Sequence, residues 1–178
     1  MGWKKFKEHF GIKHTVHIVE GQVCIGSAYI SQLLILGSDG RLVKRDERSV
    51  NEDIARYQRE IDADPAKVRE LLAAPDLFAE SIPVFTYDGS RIIEKMCEKA
   101  EWPNCTHDGQ LMYDNTFSTD KSKVIAWAKR NADAGVKYTE RNLAEQRAKV
   151  AEVEKYLAEY RRDLQALEEA YPSAPVNP

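Results

Sequence analysis

The sequence is poor in the features that announce a chemistry. Three cysteines in 178 residues, Cys24, Cys97 and Cys105, are an odd number scattered over a long chain. That excludes the even, closely spaced framework of a disulfide-stapled secreted domain and points to a reducing compartment. Long apolar runs are missing: none approaches the roughly 18 to 20 residues that cross a bilayer. The lysines near the N-terminus are not followed by the apolar stretch of a signal peptide. These absences together predict a cytoplasmic protein that engages no membrane. Gly2 stands where a myristoylation signal needs it, but Phe6 occupies the position that signal reserves for Ser or Thr. Asn104-Cys105-Thr106 has the pattern of a glycosylation acceptor with no secretory route to the modification. Net charge is also small, at −3, so no whole-molecule field draws the chain onto nucleic acid. There is no phosphate-binding Walker loop, no Gly-x-Gly-x-x-Gly and no Gly-x-Ser-x-Gly, which removes the common nucleotide-binding and hydrolase signatures. No repeat of fixed period is present.

What is present suffices for a core: 43% of residues are hydrophobic and 31% charged, a globular composition on the charged side. The length suits one domain carrying an appendage. Trp3, Phe6 and Phe10 fall at i, i+3 and i+7 with Lys4, Lys5 and Lys7 between them, which predicts a short helix ended by Gly11. Its aromatic stripe either lies across the sheet that follows or, with its lysines, forms a membrane-surface or partner-docking helix, of which packing on the sheet is the expectation. From His14 the period becomes two, through Val16, Ile18, Val23, Ile25, Leu33, Ile35, Leu42 and Val43. Glu20-Gly21 and Asp39-Gly40 punctuate it, so a meander of hairpins is predicted. Asp88-Gly89 and Asp108-Gly109 repeat the hairpin signal further on. Between the two strand groups, Ser49 and Glu52 match a capping box before Ile54, Tyr57 and Ile61. Asp64-Pro65 then reads as the cap and first turn of another helix through Val68, Leu71 and Leu72.

The C-terminal third is the most periodic. A helix is predicted from about Thr119, presenting Val124, Ile125 and Trp127 to the sheet, with Gly135 as a kink or an end. Beyond it apolar residues recur every seven, through Val136, Leu143, Val150, Leu157, Leu164 and Tyr171. A second set runs through Thr139, Gln146, Val153, Tyr160 and Leu167. The alternating three and four spacing is that of a coiled coil. Leu143, Val150, Val153, Leu157, Tyr160, Leu164 and Leu167 form the expected assembly seam. The flanking residues Glu140, Arg147, Glu154, Arg161 and Glu168 alternate in sign. Two antiparallel copies would pair Arg147 with Glu168 and Glu154 with Arg161, each worth a few tenths of a kcal/mol to about 1.

The densest polar cluster runs from Cys97 to Asp114. Cys97-x7-Cys105-x-His107 lacks the short Cys-x2-Cys knuckle of a zinc site; His14, His17 or Cys24 could complete four ligands, but His14 and His17, three apart on a strand, face opposite sides, so no metal is expected. Cys105, His107 and Asp108 contain the residue types of an activated thiol, while an Asp-Gly hairpin explains Asp108 without catalysis. Lys4, Lys5, Lys7 and Lys13 beside the N-terminal aromatics could contact phosphates and stack on bases. The acidic middle, with 11 Lys/Arg against 16 Asp/Glu in residues 49–135, opposes that.

Gly2-Trp3-Lys4-Lys5-Phe6-Lys7-Glu8-His9-Phe10, Trp102-Pro103-Asn104, Thr106-His107-Asp108-Gly109, Leu111-Met112-Tyr113 and Asn115-Thr116-Phe117-Ser118-Thr119-Asp120 resemble segments of small accessory proteins carried by tailed bacteriophages. The resemblance implies a virion component or a modulator of host or defence proteins, and brings no catalytic residues with it.

The expected architecture is therefore α+β. Residues 1–117 form antiparallel hairpins with two inserted helices, residues 118–171 a long helical arm, and residues 172–178 a proline-rich tail that cannot be helical. The expected function is non-enzymatic binding or assembly through protein contacts, with itself or another protein, and without a cofactor. The alternatives are a small thiol or hydrolase-type enzyme centred on Cys105 and His107, or a nucleic-acid-binding accessory protein using the basic aromatic N-terminus. The location would be host cytoplasm or virion.

Overall fold

The computed structural model describes residues 1–27, 29–47 and 51–171. The chain divides into two units, residues 1–128 and the residues from Lys129 onward. It is an α+β structure with a long C-terminal helix. The meander predicted from the period-two pattern is a four-stranded antiparallel sheet of β1 (Thr15–Val19), β2 (Gln22–Gly26), β3 (Leu34–Leu36) and β4 (Leu42–Lys44), in that order. The first hairpin is tight because Val19 pairs with Gln22. Glu20 and Gly21 therefore both take positive φ, 51° and 78°, the conformation a two-residue turn needs to follow the strand twist.

Helices α1 (Trp3–His9), α2 (Glu52–Ala63) and α3 (Pro65–Ala73) share one core with Val16, Val23, Ile25, Leu34 and Leu36 of the sheet. Ile54, Tyr57 and Ile61 of α2 and Val68 and Leu72 of α3 are buried at the predicted spacing. Burying such a side chain stabilises by roughly 1.5–3 kcal/mol. Asp64 caps α3 as expected, its Oδ1 accepting from the Lys67 N–H at 2.9 Å, with Pro65 in the first turn. The cap of α2 differs from the expectation. Ser49 lies outside the described residues, and Asn51 is the N-cap, its side chain accepting from the Asp53 N–H at 3.0 Å. Glu52 is consequently the first helical residue, too early to close a capping box.

The second strand group is a seven-residue hairpin, β5 (Ile82–Asp88) with β6 (Arg91–Cys97), and a two-residue pair, β7 (Asn104–Cys105) with β8 (Leu111–Met112). They enclose a small core of Val84, Cys97, Met112 and Phe117. Phe85 bridges Ser118 in both directions, at 2.8 and 3.0 Å, which ties the chain down just before the arm.

Helix α4 (Lys121–Ala170) runs for 50 residues. Asp120 opens it, Oδ1 accepting from the Ser122 and Lys123 N–H groups at 2.8 and 3.3 Å. Val124 is buried while Ile125 and Trp127 are half-buried, so the apolar face predicted for this turn is only partly covered. Gly135 does not end the helix. Its cost relative to alanine, about 1 kcal/mol, is small against the turns on either side, and Thr139 Oγ1 donates to the Gly135 carbonyl at 2.9 Å.

Candidate functional site

Burial is what Trp3, Phe6 and Phe10 share: the N-terminal aromatic stripe is part of the main core. Trp3 Nε1 donates to the His107 carbonyl at 3.1 Å. Phe6 is fully buried and its ring lies 5.1 Å from that of Phe10. The lysines of α1 are distributed differently. Lys4 Nζ donates to Glu98 at 2.7 Å and to the Leu77 carbonyl at 2.9 Å, and sits 5.2 Å from the centre of the Phe78 ring. Hydrogen bonds from Lys4 and the Ala79 N–H hold the Glu98 carboxyl below its usual range. Lys5 and Lys7 are half-buried, and among the described residues neither side chain makes an ion pair. The basic flank therefore consists of two unpaired lysines rather than a continuous patch.

The Cys105, His107 and Asp108 cluster is set by the end of a strand. A shared face for Cys105 and His107 requires a strand through both, but β7 ends at Cys105 and the chain turns at residues 107–109. The Cys105 side chain is in the main core, where Sγ donates to the Val16 carbonyl at 3.1 Å. Burial pushes its thiol up to about 12. An activated nucleophile is the reverse case, a thiol lowered by a neighbouring cation or base. The His107 ring stacks on Phe78 at 3.8 Å and 6°, with Nε2 3.1 Å from the Glu80 carbonyl. Asp108 accepts from Lys95 and from Thr106 Oγ1. Burial alone would raise its carboxyl, but these two hydrogen bonds outweigh that and lower it. Each member of the cluster is thus engaged with a different partner.

Among the described residues no group of three or more His, Cys, Asp and Glu side chains could hold a metal ion. Cys97 is buried in the smaller core and bridges Thr106 through its backbone. Cys24 and His17 face each other across β1 and β2. His17 is 2% exposed, and among the described residues its Nδ1 has no hydrogen-bond partner, a feature that no periodicity in the sequence signals.

The arm presents the opposite situation. Leu143, Val150, Val153, Leu157, Tyr160, Leu164 and Leu167 are all exposed, from 47% for Leu157 to 71% for Tyr160. They recur along one line of an unbroken helix. Single exposed apolar residues are ordinary, whereas here seven of them lie in one line on a single helix face. Arg147, Glu154, Arg161 and Glu168 flank this line, and among the described residues none makes an ion pair; Lys137 with Asp133 is the pair the arm does contain. No helix among the described residues is long and apolar enough to cross a membrane. No protein-family model, curated protein or solved structure matches the chain.

Proposed function

We propose that this is a non-enzymatic binding and assembly protein that acts through protein contacts made by its helical arm. The exposed apolar line on α4 carries the reading. Covering those side chains would release roughly 25 cal/mol for each Å² of apolar surface removed from water, and the α1 aromatics are already in the core. The resemblance to accessory proteins of tailed phages extends the reading to a virion component or a modulator of a host or defence protein. The buried, proton-holding Cys105 supports binding over thiol chemistry. The engagement of Lys4 with Glu98 reduces what the N-terminus offers to a nucleic acid.

The test compares the full chain with Leu157→Asp and Leu164→Asp in two assays, mass by light scattering at tens of micromolar and capture from bacterial lysate on immobilised protein. An unpaired carboxylate buried in a seam costs several kcal/mol. Either self-assembly or capture of a partner is expected, and the aspartate variants should lose it. A monomer whose captured proteins are the same with and without Leu157→Asp would overturn the reading.

A further inference from the structure

Resting on that assembly reading, we infer that the partner of the arm is a second copy of this chain, running antiparallel in one register centred beside Ala158 and Glu159.

The inference rests on charge and apolar positions agreeing at a single alignment. In an antiparallel pair the positions just after the d residues face one another across the seam. On α4 these are Glu140, Arg147, Glu154, Arg161 and Glu168, and among the described residues none of the last four makes an ion pair within its own chain. Setting Arg147 against Glu168 of a second copy and Glu154 against its Arg161 gives four opposite-charge contacts by symmetry. The same alignment brings Leu157 against Tyr160, Val153 against Leu164, and Val150 against Leu167, each twice. Every exposed seam residue from Val150 to Leu167 is covered by an apolar or aromatic one.

Neighbouring registers fail on charge. A slip of one heptad in one direction sets Arg147 against Arg161 and Glu154 against itself. A slip in the other direction sets Glu154 against Glu168 and Arg161 against itself. Like charges at such positions are repulsive, so the alternating signs act against the wrong alignments as well as for the right one. A two-heptad slip toward the N-terminus restores opposite charges. It also places Gln146 on Leu157, Thr139 on Leu164 and Asp133 beside Glu168. Parallel pairing gains Lys149 with Glu154 and loses as much by setting Asp163 against Glu168.

Nitroxide labels on the full chain at Arg141→Cys or Lys155→Cys read the geometry directly, since both positions are exposed and the three native thiols are buried. At about 1.5 Å per residue, the proposed register places the two Arg141 labels about 50 to 55 Å apart and the two Lys155 labels within roughly 25 Å. Equal distances at both positions would show parallel pairing, and about 30 to 35 Å at Arg141 would show the two-heptad slip. Either result overturns the proposal. Arg147→Glu should raise the dimer dissociation constant roughly tenfold, and adding Glu168→Arg should restore it. Restoration by Glu154→Arg in place of Glu168→Arg would also overturn the register. A monomeric chain that still captures another protein, and loses it with Leu157→Asp, overturns the second copy while leaving the assembly reading standing. Failure of both assays removes both.

Discussion

The carboxylate of Asp76 caps helix α1 at Lys4 from 72 residues away. Its Oδ2 accepts from the Lys4 N–H at 3.0 Å and its Oδ1 from the Lys5 N–H at 2.9 Å. Gly2 precedes that helix and offers no side chain to do the same, so a distant acid supplies both acceptors and a negative charge at the positive end of the helix. Asp76→Ala is expected to lower stability by about 1–2 kcal/mol, and Asp76→Asn by less because one acceptor remains. Thermal melting of the two variants checks the order. Equal melting temperatures for Ala and wild type would show that the cap contributes nothing.

Gly2 is held where no other residue fits. A Cβ there would lie 2.1 Å from the Leu71 carbonyl oxygen and 2.4 Å from that of Ala74, while the Gly2 N–H donates to the Leu72 carbonyl at 2.8 Å. Gly2→Ala must push α1 away from α3. A loss of about 2 kcal/mol or more is expected, read as a shift in the urea midpoint. An unchanged midpoint would mean the contact relaxes without cost.

The three thiols should be silent in the native protein. Burial raises the thiol of Cys24 and of Cys97, and raises that of Cys105 to about 12. A disulfide reagent at pH 8 should therefore react only as fast as the protein opens, and should count three thiols after denaturation. A raised folded value also means that Cys105 contributes stability fully present below the ordinary thiol range and lost as pH rises from about 9 toward 12. Rapid modification of Cys105 at pH 7 would revive a thiol-based activity.

His17 is expected to lower stability in mild acid. Its burial lowers the folded-state value below 6.5, so the neutral ring is favoured in the fold. Stability from this site is complete above about 6.5 and falls as pH drops below it toward the folded value. The carboxylates that are lowered in the fold, Glu98 and Asp108 among them, act only at more acid pH. His17→Phe is expected to flatten the stability profile just below about pH 6.5, measured by urea denaturation at a series of pH values on either side of it. A slope identical to wild type would assign the acid sensitivity to other groups.

Local patterns in the chain were readable where they act within a few residues. Asp88-Gly89 and Asp108-Gly109 marked hairpins because glycine accepts the positive φ, 57° and 83° at these two positions. Asp64-Pro65 marked a helix start because proline's missing N–H costs nothing in a first turn. The period of seven on α4 marked one apolar line because a helix repeats its faces nearly every seven residues. The N-cap of α2 lies two residues beyond the predicted one, since serine and asparagine both carry a side-chain oxygen that can accept from a backbone N–H and at this helix Asn51 does so.

The candidate thiol site shows where such reading stops. Cys105 and His107 share a face only on a continuing strand, and a two-residue strand is too short to leave a period. Whether the thiol met a base or a backbone carbonyl depended on Val16, 89 residues away.

Spacing and turn chemistry by themselves determined the meander, the two inserted helices and the apolar line of the arm, because backbone preferences and side-chain periodicity are short-range. Tertiary structure alone decided that the N-terminal aromatics are core, that Asp76 caps α1, that Cys105 keeps its proton and that His17 Nδ1 has no hydrogen-bond partner among the described residues. Each of these depends on which distant segments meet, and burial and hydrogen bonding act on a group only once that neighbourhood has formed.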